Sequence, residues 1–229
     1  MKKNIMKRKA AIEALKLVSD GMVIGLGSGT TINIFLKLLY EKIKREELDI
    51  YFVPTSTDVE TALLNYGLNI VTLNEYPEPS IAIDGADAVT KTLDLIKGGG
   101  GALTREKIVD YSSKEYYIIV DETKIFDNLY KHFIPLEVLP FAWKRVLKDL
   151  KEMFNVSGNL RICGKGKLGP VITDNGNYII DIYYNNKTDP SSLEIELNII
   201  PGILENGIFS RKKPKKIIVG SLKKTYTIE

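Results

Sequence analysis

Short apolar runs alternate with helical patterns of apolar residues over the first half of the chain. Five runs have the length and composition of buried strands: 22–27 (MVIGLG), 50–54 (IYFVP), 80–84 (SIAID), 93–98 (LDLIKG) and 115–121 (EYYIIVD). Between the first two runs, apolar residues recur at the spacing of one helical face: Ile32, Phe35, Leu36, Leu39 and Ile43. Ser56 or Thr57 can cap a second helix, which Gly67 ends. This alternation predicts an α/β protein with a mostly parallel, doubly wound sheet.

The pattern changes after about residue 130. Helical patterns at 141–154 and 189–199 flank two β-rich runs, and the turn Asp174-Asn175-Gly176-Asn177 between those runs is typical of an antiparallel hairpin. The apolar run 215–220 (KKIIVG) can return to the first sheet. We therefore predict a Rossmann-like domain at 1–130 plus 206–229, and a smaller α+β, ferredoxin-like domain at 131–205.

A polar cluster follows each of the five apolar runs. The clusters are 27–31 (GSGTT), 55–57 (TST), 84–87 (DGAD), 97–101 (KGGGG) and 121–124 (DETK). In open α/β sheets, ligands bind beyond the carboxyl ends of the strands, where such loops gather. We therefore expect all five loops at one edge of the sheet.

Composition narrows the class of protein. The 32 Lys and Arg residues nearly balance the 29 Asp and Glu residues, and a net charge of +3 is too small to indicate nucleic acid or an anionic membrane as partner. No signal peptide or membrane span is evident, so we predict a cytoplasmic protein. The single histidine, His132, and the single cysteine, Cys163, have no companions at ligand spacing. We expect no metal site.

The segment 25–31 (GLGSGTT) is a glycine-rich turn from a strand into a helix, and its backbone N–H groups favour an anion. A dinucleotide fingerprint needs Gly where Thr30 stands, and a Walker A loop needs a lysine that is missing. The hydroxyls of Ser28, Thr30 and Thr31 suit a small phosphate. A helix start that binds no ligand is the alternative interpretation.

Two carboxylates, Asp84 and Asp87, stand just past a strand, near the Lys97 that enters four consecutive glycines. Such a glycine run weakens folding by about 0.5–1 kcal/mol per residue relative to alanine, which favours a loop that approaches a ligand closely. Glu106 lies on the helix that leaves this loop. Acids and a base therefore cluster here, although an acidic turn after a strand is common without catalysis.

Six segments together are highly specific: 25–31 (GLGSGTT), 84–89 (DGADAV), 95–109 (LIKGGGGALTREKIV), 121–124 (DETK), 134–140 (IPLEVLP) and 171–182 (VITDNGNYIIDI). In this order and spacing they resemble the type A ribose-5-phosphate isomerases, over nearly the whole chain. Two positions depart from that family's usual pattern: Ala88 stands where Glu is usual, and Gly101 is an additional glycine.

The resemblance implies an isomerase of the pentose phosphate pathway that interconverts ribose 5-phosphate and ribulose 5-phosphate without a cofactor. It implies Glu106 as the base and Lys97 as the group that stabilises the oxyanion. Asp84 would assist ring opening and proton transfer between oxygens, and Asp87 would hold sugar hydroxyls. We expect these four side chains around one cavity.

The resemblance also implies a phosphate site formed by Thr30, Thr31, Lys7 and Lys124. The pocket is completed by five further residues: Ser28, Gly29, Gly98, Gly99 and Gly100. It further implies a homodimer or homotetramer. Two alternatives remain open at this point: a sugar-phosphate sensor that has lost its base, and an acyl-transferring enzyme with a glutamate nucleophile.

Overall fold

The structure is a computed structural model that describes residues 1–130, 132–164, 166, 168–185 and 187–229. Its helices are α1 (Lys2–Ala14), α2 (Thr30–Glu46), α3 (Thr57–Tyr66), α4 (Leu103–Ser112), α5 (Trp143–Phe154) and α6 (Pro190–Asn198). The first seven strands are β1 (Val23–Leu26), β2 (Tyr51–Pro54), β3 (Asn69–Ile70), β4 (Ile81–Asp84), β5 (Ala88–Val89), β6 (Leu95–Ile96) and β7 (Glu115–Asp121). The remaining strands are β8 (Phe133–Val138), β9 (Gly158–Leu160), β10 (Tyr178–Tyr183), β11 (Ile203–Asn206), β12 (Ile208–Phe209), β13 (Lys216–Gly220) and β14 (Thr225–Ile228).

The chain divides into two compact units. The first unit consists of Met1–Ala86, Arg105–Ile125 and Pro214–Glu229, and the second unit consists of Asp87–Thr104 and Phe126–Lys213. The segment 87–104 thus belongs with the second unit, whereas the domain division drawn from the sequence assigned it to the first domain. The domain boundaries at 130 and 206 stay a prediction.

The first unit contains a seven-stranded sheet with the order β14-β13-β7-β4-β1-β2-β3. Each neighbouring pair is parallel except β13 and β14, which are antiparallel. The mostly parallel sheet is therefore confirmed, and the run at 215–220 returns to it as β13, beside β7. Strands buried on both faces explain why the sequence showed unbroken apolar runs.

Helices α2 and α3 of the first unit form where the sequence pattern predicted them. In α2 the buried residues lie on one face, and they are Ile32, Phe35, Leu36, Leu39 and Ile43. The Ser56 side chain caps α3 by accepting a hydrogen bond from the Val59 N–H, and Gly67 ends that helix in the left-handed conformation, with φ of 64°.

The fourth apolar run is not part of the parallel sheet, and this corrects the prediction from the sequence. In 93–98 only Leu95–Ile96 is a strand, and it lies between β5 and β12 in a separate three-stranded antiparallel sheet of the second unit. Four of the five polar clusters therefore follow strands of the large sheet. Periodicity indicates that a short run is buried, but it does not indicate the strand with which the run pairs.

The second unit also contains a four-stranded antiparallel sheet with the order β11-β8-β10-β9. Along the chain its elements run β8, α5, β9, β10, α6, β11. This is the βαββαβ arrangement of ferredoxin-like folds, as predicted. The turn at 174–177 closes the expected hairpin, since the Thr173 N–H donates to the Asn177 carbonyl at 2.9 Å.

A fully buried carboxylate, Glu137 on β8, organises the polar interior of this unit. It accepts hydrogen bonds of 2.5–3.0 Å from Thr104, Thr173, Asn175 and Asn177. A buried carboxylate requires such donors because its desolvation is otherwise costly. Glu137 thereby ties the hairpin turn to the first turn of α4.

No helix formed by the described residues is long and apolar enough to span a bilayer.

Candidate active site

The first glycine loop, residues 27–29, lies directly against Asp84 in the first unit. The Gly27 N–H donates to the Ile83 carbonyl at 3.0 Å, which continues the pairing of β1 with β4. A Cβ atom on Gly27 would overlap the carboxyl group of Asp84. Glycine is therefore required here so that the loop can approach that carboxylate closely.

Ser28 joins two of the predicted catalytic carboxylates. Its backbone N–H donates to Asp84 Oδ1 at 3.2 Å, and its hydroxyl donates to Glu106 Oε1 at 2.6 Å. The Gly85 N–H also donates to Asp84 Oδ1, at 2.6 Å. Asp84 is 0% exposed and Glu106 is 4% exposed, so both carboxylates are shielded from water. The first unit therefore holds an acid and a candidate base on either side of one serine.

The start of α2 has the features of an anion site. Gly29 has φ of 93° and precedes a 17-residue helix whose first turn is not capped by a side chain. The Lys7 ammonium group on α1 donates to the Thr30 hydroxyl at 2.6 Å. Thr31 is in the same first turn. Backbone N–H groups, hydroxyls and a cation together suit a phosphate group. Glycine is also a common N-cap residue, so a helix start that binds no ligand stays an alternative.

Lys124 lies in the short turn Glu122–Lys124 that follows β7. The preceding Asp121 opens this turn by accepting a hydrogen bond from the Thr123 N–H at 3.1 Å. The sequence cluster 121–124 therefore follows a strand of the large sheet, as predicted.

Asp87 and Lys97 lie opposite each other in the second unit. The antiparallel register pairs Ala88 with Ile96, which puts Asp87 across from Lys97, and the Asp87 N–H donates to the Ile96 carbonyl at 2.8 Å. Lys97 is 2% exposed, and its ammonium group lies 5.5 Å from the centre of the Phe209 ring. An ammonium group at this distance is attracted to the face of the ring.

The second glycine loop, residues 98–101, lies against Asp87. The Gly99 N–H donates to Asp87 Oδ2 at 2.7 Å, and a Cβ atom on Gly99 would lie 2.8 Å from that oxygen. Gly98 and Gly101 have φ of 96° and 87°, and the Gly101 N–H donates to the Gly98 carbonyl at 3.0 Å. The glycines therefore allow a tight turn and a close approach to the carboxylate.

Sequence reasoning missed one residue of this region, Arg161. Its guanidinium group donates to the carbonyl oxygens of Gly98 and Gly99 at 2.9 and 3.0 Å, and it forms an ion pair with Asp181. Arg161 is 62 residues from Gly99 in the chain and stands in no recognisable motif, so periodicity and spacing carried no signal for it.

Asp94, just before β6, fixes the strand that leads into the second glycine loop. It accepts hydrogen bonds from Thr92, Ser210 and Lys213. Burial by itself raises the pKa of Asp94, but these three donors outweigh that effect and hold the pKa below its ordinary value.

Two groups of predicted site residues are thus observed, one in each unit. The first unit joins Lys7 with Thr30, and it joins Ser28 with Asp84 and Glu106. The second unit joins Asp87, Lys97 and the glycine loop. In the part of the chain that the structure describes, no three His, Cys, Asp or Glu side chains are arranged to hold a metal ion. The His132 ring packs edge-on against Phe126, at 4.1 Å between ring centres.

Comparison with known proteins finds relatives that cover most of the chain. Residues 51–224 match the family model described as ribose 5-phosphate isomerase A (phosphoriboisomerase A). The ribose-5-phosphate isomerase A of Methanococcus aeolicus is 52% identical over 213 residues, which cover 92% of this chain and 89% of that relative.

Solved structures of similar proteins have the same fold. Ribose 5-phosphate isomerase A from Methanocaldococcus jannaschii superposes with a TM-score of 0.93 at 47% identity and covers 98% of both chains. A D-ribose-5-phosphate isomerase in complex with phospho-erythronic acid superposes with a TM-score of 0.95 at 46% identity and covers 100% of both chains.

Proposed function

Because the chain belongs to the ribose 5-phosphate isomerase A family, we propose a role in that family's reaction for the site residues of each unit. The protein is an aldose–ketose isomerase that interconverts D-ribose 5-phosphate and D-ribulose 5-phosphate, a reaction of the pentose phosphate pathway. The roles of the individual residues are the content of the proposal.

The observation that carries the proposal is the arrangement around Ser28. One serine holds Asp84 through its backbone N–H and Glu106 through its hydroxyl. The next residues of the same loop begin the helix that carries the candidate phosphate site. A substrate whose phosphate binds Thr30 and Thr31 is thereby tethered within reach of two shielded carboxylates.

Glu106 is the base. Isomerisation of the open-chain aldose removes the C2 proton, forms an enediolate and returns a proton to C1. The Glu106 carboxylate accepts the C2 proton and, as the carboxylic acid, delivers it to C1, so the group ends the cycle unchanged. The 2.6 Å hydrogen bond from Ser28 fixes the carboxylate for this transfer. Low exposure limits the loss of that proton to bulk water.

Asp84 and Lys97 act on the oxygen atoms of the sugar, Asp84 by proton transfer and Lys97 by stabilising negative charge. Opening of the furanose ring needs a proton on the ring oxygen and removal of the proton on O1, and the enediolate then needs a proton moved from O2 to O1. Asp84 exchanges these protons with the oxygens. The Lys97 ammonium group stabilises the negative charge that develops on the enediolate. Asp87 and the second glycine loop bind the sugar hydroxyls.

The phosphate group takes no part in the proton transfers. Binding of the phosphate by Lys7, Thr30, Thr31, Lys124 and Gly29 supplies energy that holds C1 and C2 at the base. The similar D-ribose-5-phosphate isomerase described above is in complex with phospho-erythronic acid, a phosphorylated sugar acid. Its carboxylate resembles the charge distribution of an enediolate, which supports a site that stabilises such a species.

The test compares the wild-type protein with Glu106→Gln. Purified protein with ribose 5-phosphate and a chelator should form ribulose 5-phosphate. We expect Glu106→Gln to lower kcat by about 100-fold to 10,000-fold, the usual contribution of a general base. The variant should still bind phospho-erythronic acid. Glu115→Gln is the matched control, because Glu115 bonds Tyr117 and Lys215 at the surface of the large sheet.

A normal rate in Glu106→Gln would assign the base to another residue. A wild-type protein that binds phospho-erythronic acid but turns over no substrate would instead be the sugar-phosphate sensor considered above.

We further propose a cytoplasmic homodimer or homotetramer. The proposal rests on the resemblance to the family, and the single cysteine is compatible with a reducing compartment. Light scattering of the purified protein measures the mass that distinguishes the two assemblies.

A further inference from the structure

Arg161 uses its guanidinium group on two different partners within the second unit. Nε and Nη2 donate to the two carboxylate oxygens of Asp181, with Nε 2.8 Å from Oδ2. Nη1 donates to the carbonyl oxygens of Gly98 and Gly99. The Arg161 side chain is 15% exposed and the Asp181 side chain 23%. The Phe133 ring covers one face of the guanidinium, 5.5 Å from its carbon. Asp181 and Phe133 therefore orient the guanidinium group independently of the glycine loop.

The two carbonyl contacts set the direction of two backbone N–H groups. In a trans peptide the C=O and the following N–H point in opposite directions. Because the Gly98 carbonyl faces Arg161, the Gly99 N–H faces away from it, and this N–H donates to Asp87 Oδ2 at 2.7 Å. Because the Gly99 carbonyl also faces Arg161, the Gly100 N–H likewise points away from the guanidinium.

A continuous chain of contacts therefore runs from Asp181 to Asp87. Asp181 orients the guanidinium, the guanidinium holds two peptide units, and one of these units holds the Asp87 carboxylate. Glycine has more conformational freedom than any other residue. In this loop Gly98 and Gly101 have positive φ, and a Cβ atom at Gly100 would meet no described atom within 4 Å. Four consecutive glycines would sample many conformations without an external anchor.

We propose that Arg161 is a positioning residue for the isomerase reaction, which presets the second glycine loop and, through the Gly99 N–H, the carboxylate of Asp87. The inference rests on the proposed role of Asp87 and the loop in binding the sugar hydroxyls. Arg161 touches neither the substrate phosphate nor the reacting carbons in this scheme. Its loss should therefore weaken recognition of the sugar while leaving recognition of the phosphate intact.

Lysine cannot replace the arginine here. Four hydrogen bonds in two directions use the planar fork of the guanidinium, whereas an ammonium group is a compact charge with three donors. Arg161→Lys keeps the charge and loses the fork, so it separates electrostatic effects from geometric ones. Arg161→Met removes both.

The experiment measures kcat and KM for ribose 5-phosphate, and inhibition constants for phospho-erythronic acid and for inorganic phosphate. We expect Arg161→Met to raise KM and the phospho-erythronic acid constant by about tenfold to a hundredfold, because hydrogen bonds to charged groups are lost. Arg161→Lys should lie between the wild type and Arg161→Met. The inorganic phosphate constant should stay within about twofold in both variants, since a tenfold change would need about 1.4 kcal/mol.

Arg145→Met is the matched control. Arg145 forms the same two-pronged pair with Asp149 on α5, at 2.8 and 2.7 Å, but it makes no contact with the glycine loop among the described hydrogen bonds. This variant should match the wild type in all four constants: kcat, KM and the two inhibition constants.

Asp87→Asn, alone and combined with Arg161→Met, shows whether Arg161 acts through Asp87. If Arg161 acts through Asp87, its replacement should add little in the Asp87→Asn background. Additive effects of the two substitutions would overturn the proposal, and so would an unchanged KM in Arg161→Met.

Equal weakening of phosphate and phospho-erythronic acid binding would mean general damage to the fold and would also overturn it. If Arg161→Met does not fold, as judged by circular dichroism, Arg161→Lys carries the same comparison. An Asp87→Asn variant with normal KM would instead reject the proposed role of Asp87, and the Arg161 inference with it.

Discussion

Both glycine loops lie against an aspartate carboxylate, but different contacts hold them in place. Each loop lies against one aspartate of the segment 84–87: Gly27 against Asp84, and Gly99 against Asp87. The first loop is held by the backbone of the large sheet, through the hydrogen bond from Gly27 to Ile83. The second loop is held by a side chain, Arg161, that comes from a distant part of the chain.

This difference shows how a flexible loop becomes a precise one. A loop that continues a buried parallel strand inherits the register of its sheet, because a slip would break several backbone hydrogen bonds together. The second loop follows a two-residue strand and has little register to inherit. It obtains its order from a guanidinium group and from the buried hydrogen bonds of Asp94 and Glu137 on either side.

The largest expected effect comes from Gly27→Ala. The new Cβ atom would overlap the Asp84 carboxyl group, and the sheet backbone behind the loop cannot yield. We expect kcat/KM to fall by at least about a hundredfold, the usual consequence of misplacing a catalytic group by about 1 Å. Steady-state kinetics with ribose 5-phosphate measure the fall.

The control is Gly164→Ala, since a Cβ atom at Gly164 meets open space and its φ is not positive. If Gly27→Ala behaved like this control, the close approach to Asp84 would have no part in catalysis.

A smaller effect is expected from Gly99→Ala. Its Cβ atom would lie 2.8–2.9 Å from the Asp87 oxygens, which are the end of a flexible side chain, so the carboxylate can move aside. We expect KM to rise by about tenfold, with a smaller change in kcat, because Asp87 binds the sugar rather than transferring the C2 proton. Kinetics at saturating and limiting substrate separate the two constants. A loss equal to that of Gly27→Ala would mean that the second loop is held as rigidly as the first.

The smallest effect concerns pH and stability rather than activity. Asp94 has its pKa lowered in the folded protein, so it contributes stability above the unfolded-state value and loses it as the pH falls through the folded-state value. We expect the free energy of unfolding of the wild type to decline as the pH falls below the ordinary aspartate pKa of 3.8. Asp94→Asn should show a shallower decline in this window.

Urea unfolding at a series of pH values measures this slope. An identical slope for the two proteins would mean that the charge of Asp94 contributes no stability to the fold.

The same contrast explains how far the sequence alone could be interpreted. The turn from β1 into α2 and the end of α3 at Gly67 rest on local chemistry, and both were predicted correctly. Ser56, which caps α3, was one of the two cap residues that the sequence offered. The ferredoxin-like arrangement was also predicted, because its helices and hairpin carry clear periodic and turn signals.

Long-range partners could not be predicted. The run 93–98 has the composition of a central strand, yet its partners are Ala88–Val89 and Ile208–Phe209. The link from Ser28 to Glu106 spans 78 residues, and Arg161 reaches its loop across a similar distance. Side-chain contacts of this kind depend on tertiary packing, which no local pattern encodes.

The allocation of 87–104 to the second unit has a consequence for exchanging parts between homologues. A graft that carries only 126–213 would not include Asp87, Lys97 or the strands β5 and β6. Arg161 would then lack the carbonyl groups to which it donates. Functional chimeras should therefore transfer both stretches as a set. Recombination within this gene must therefore keep two separate segments together rather than one.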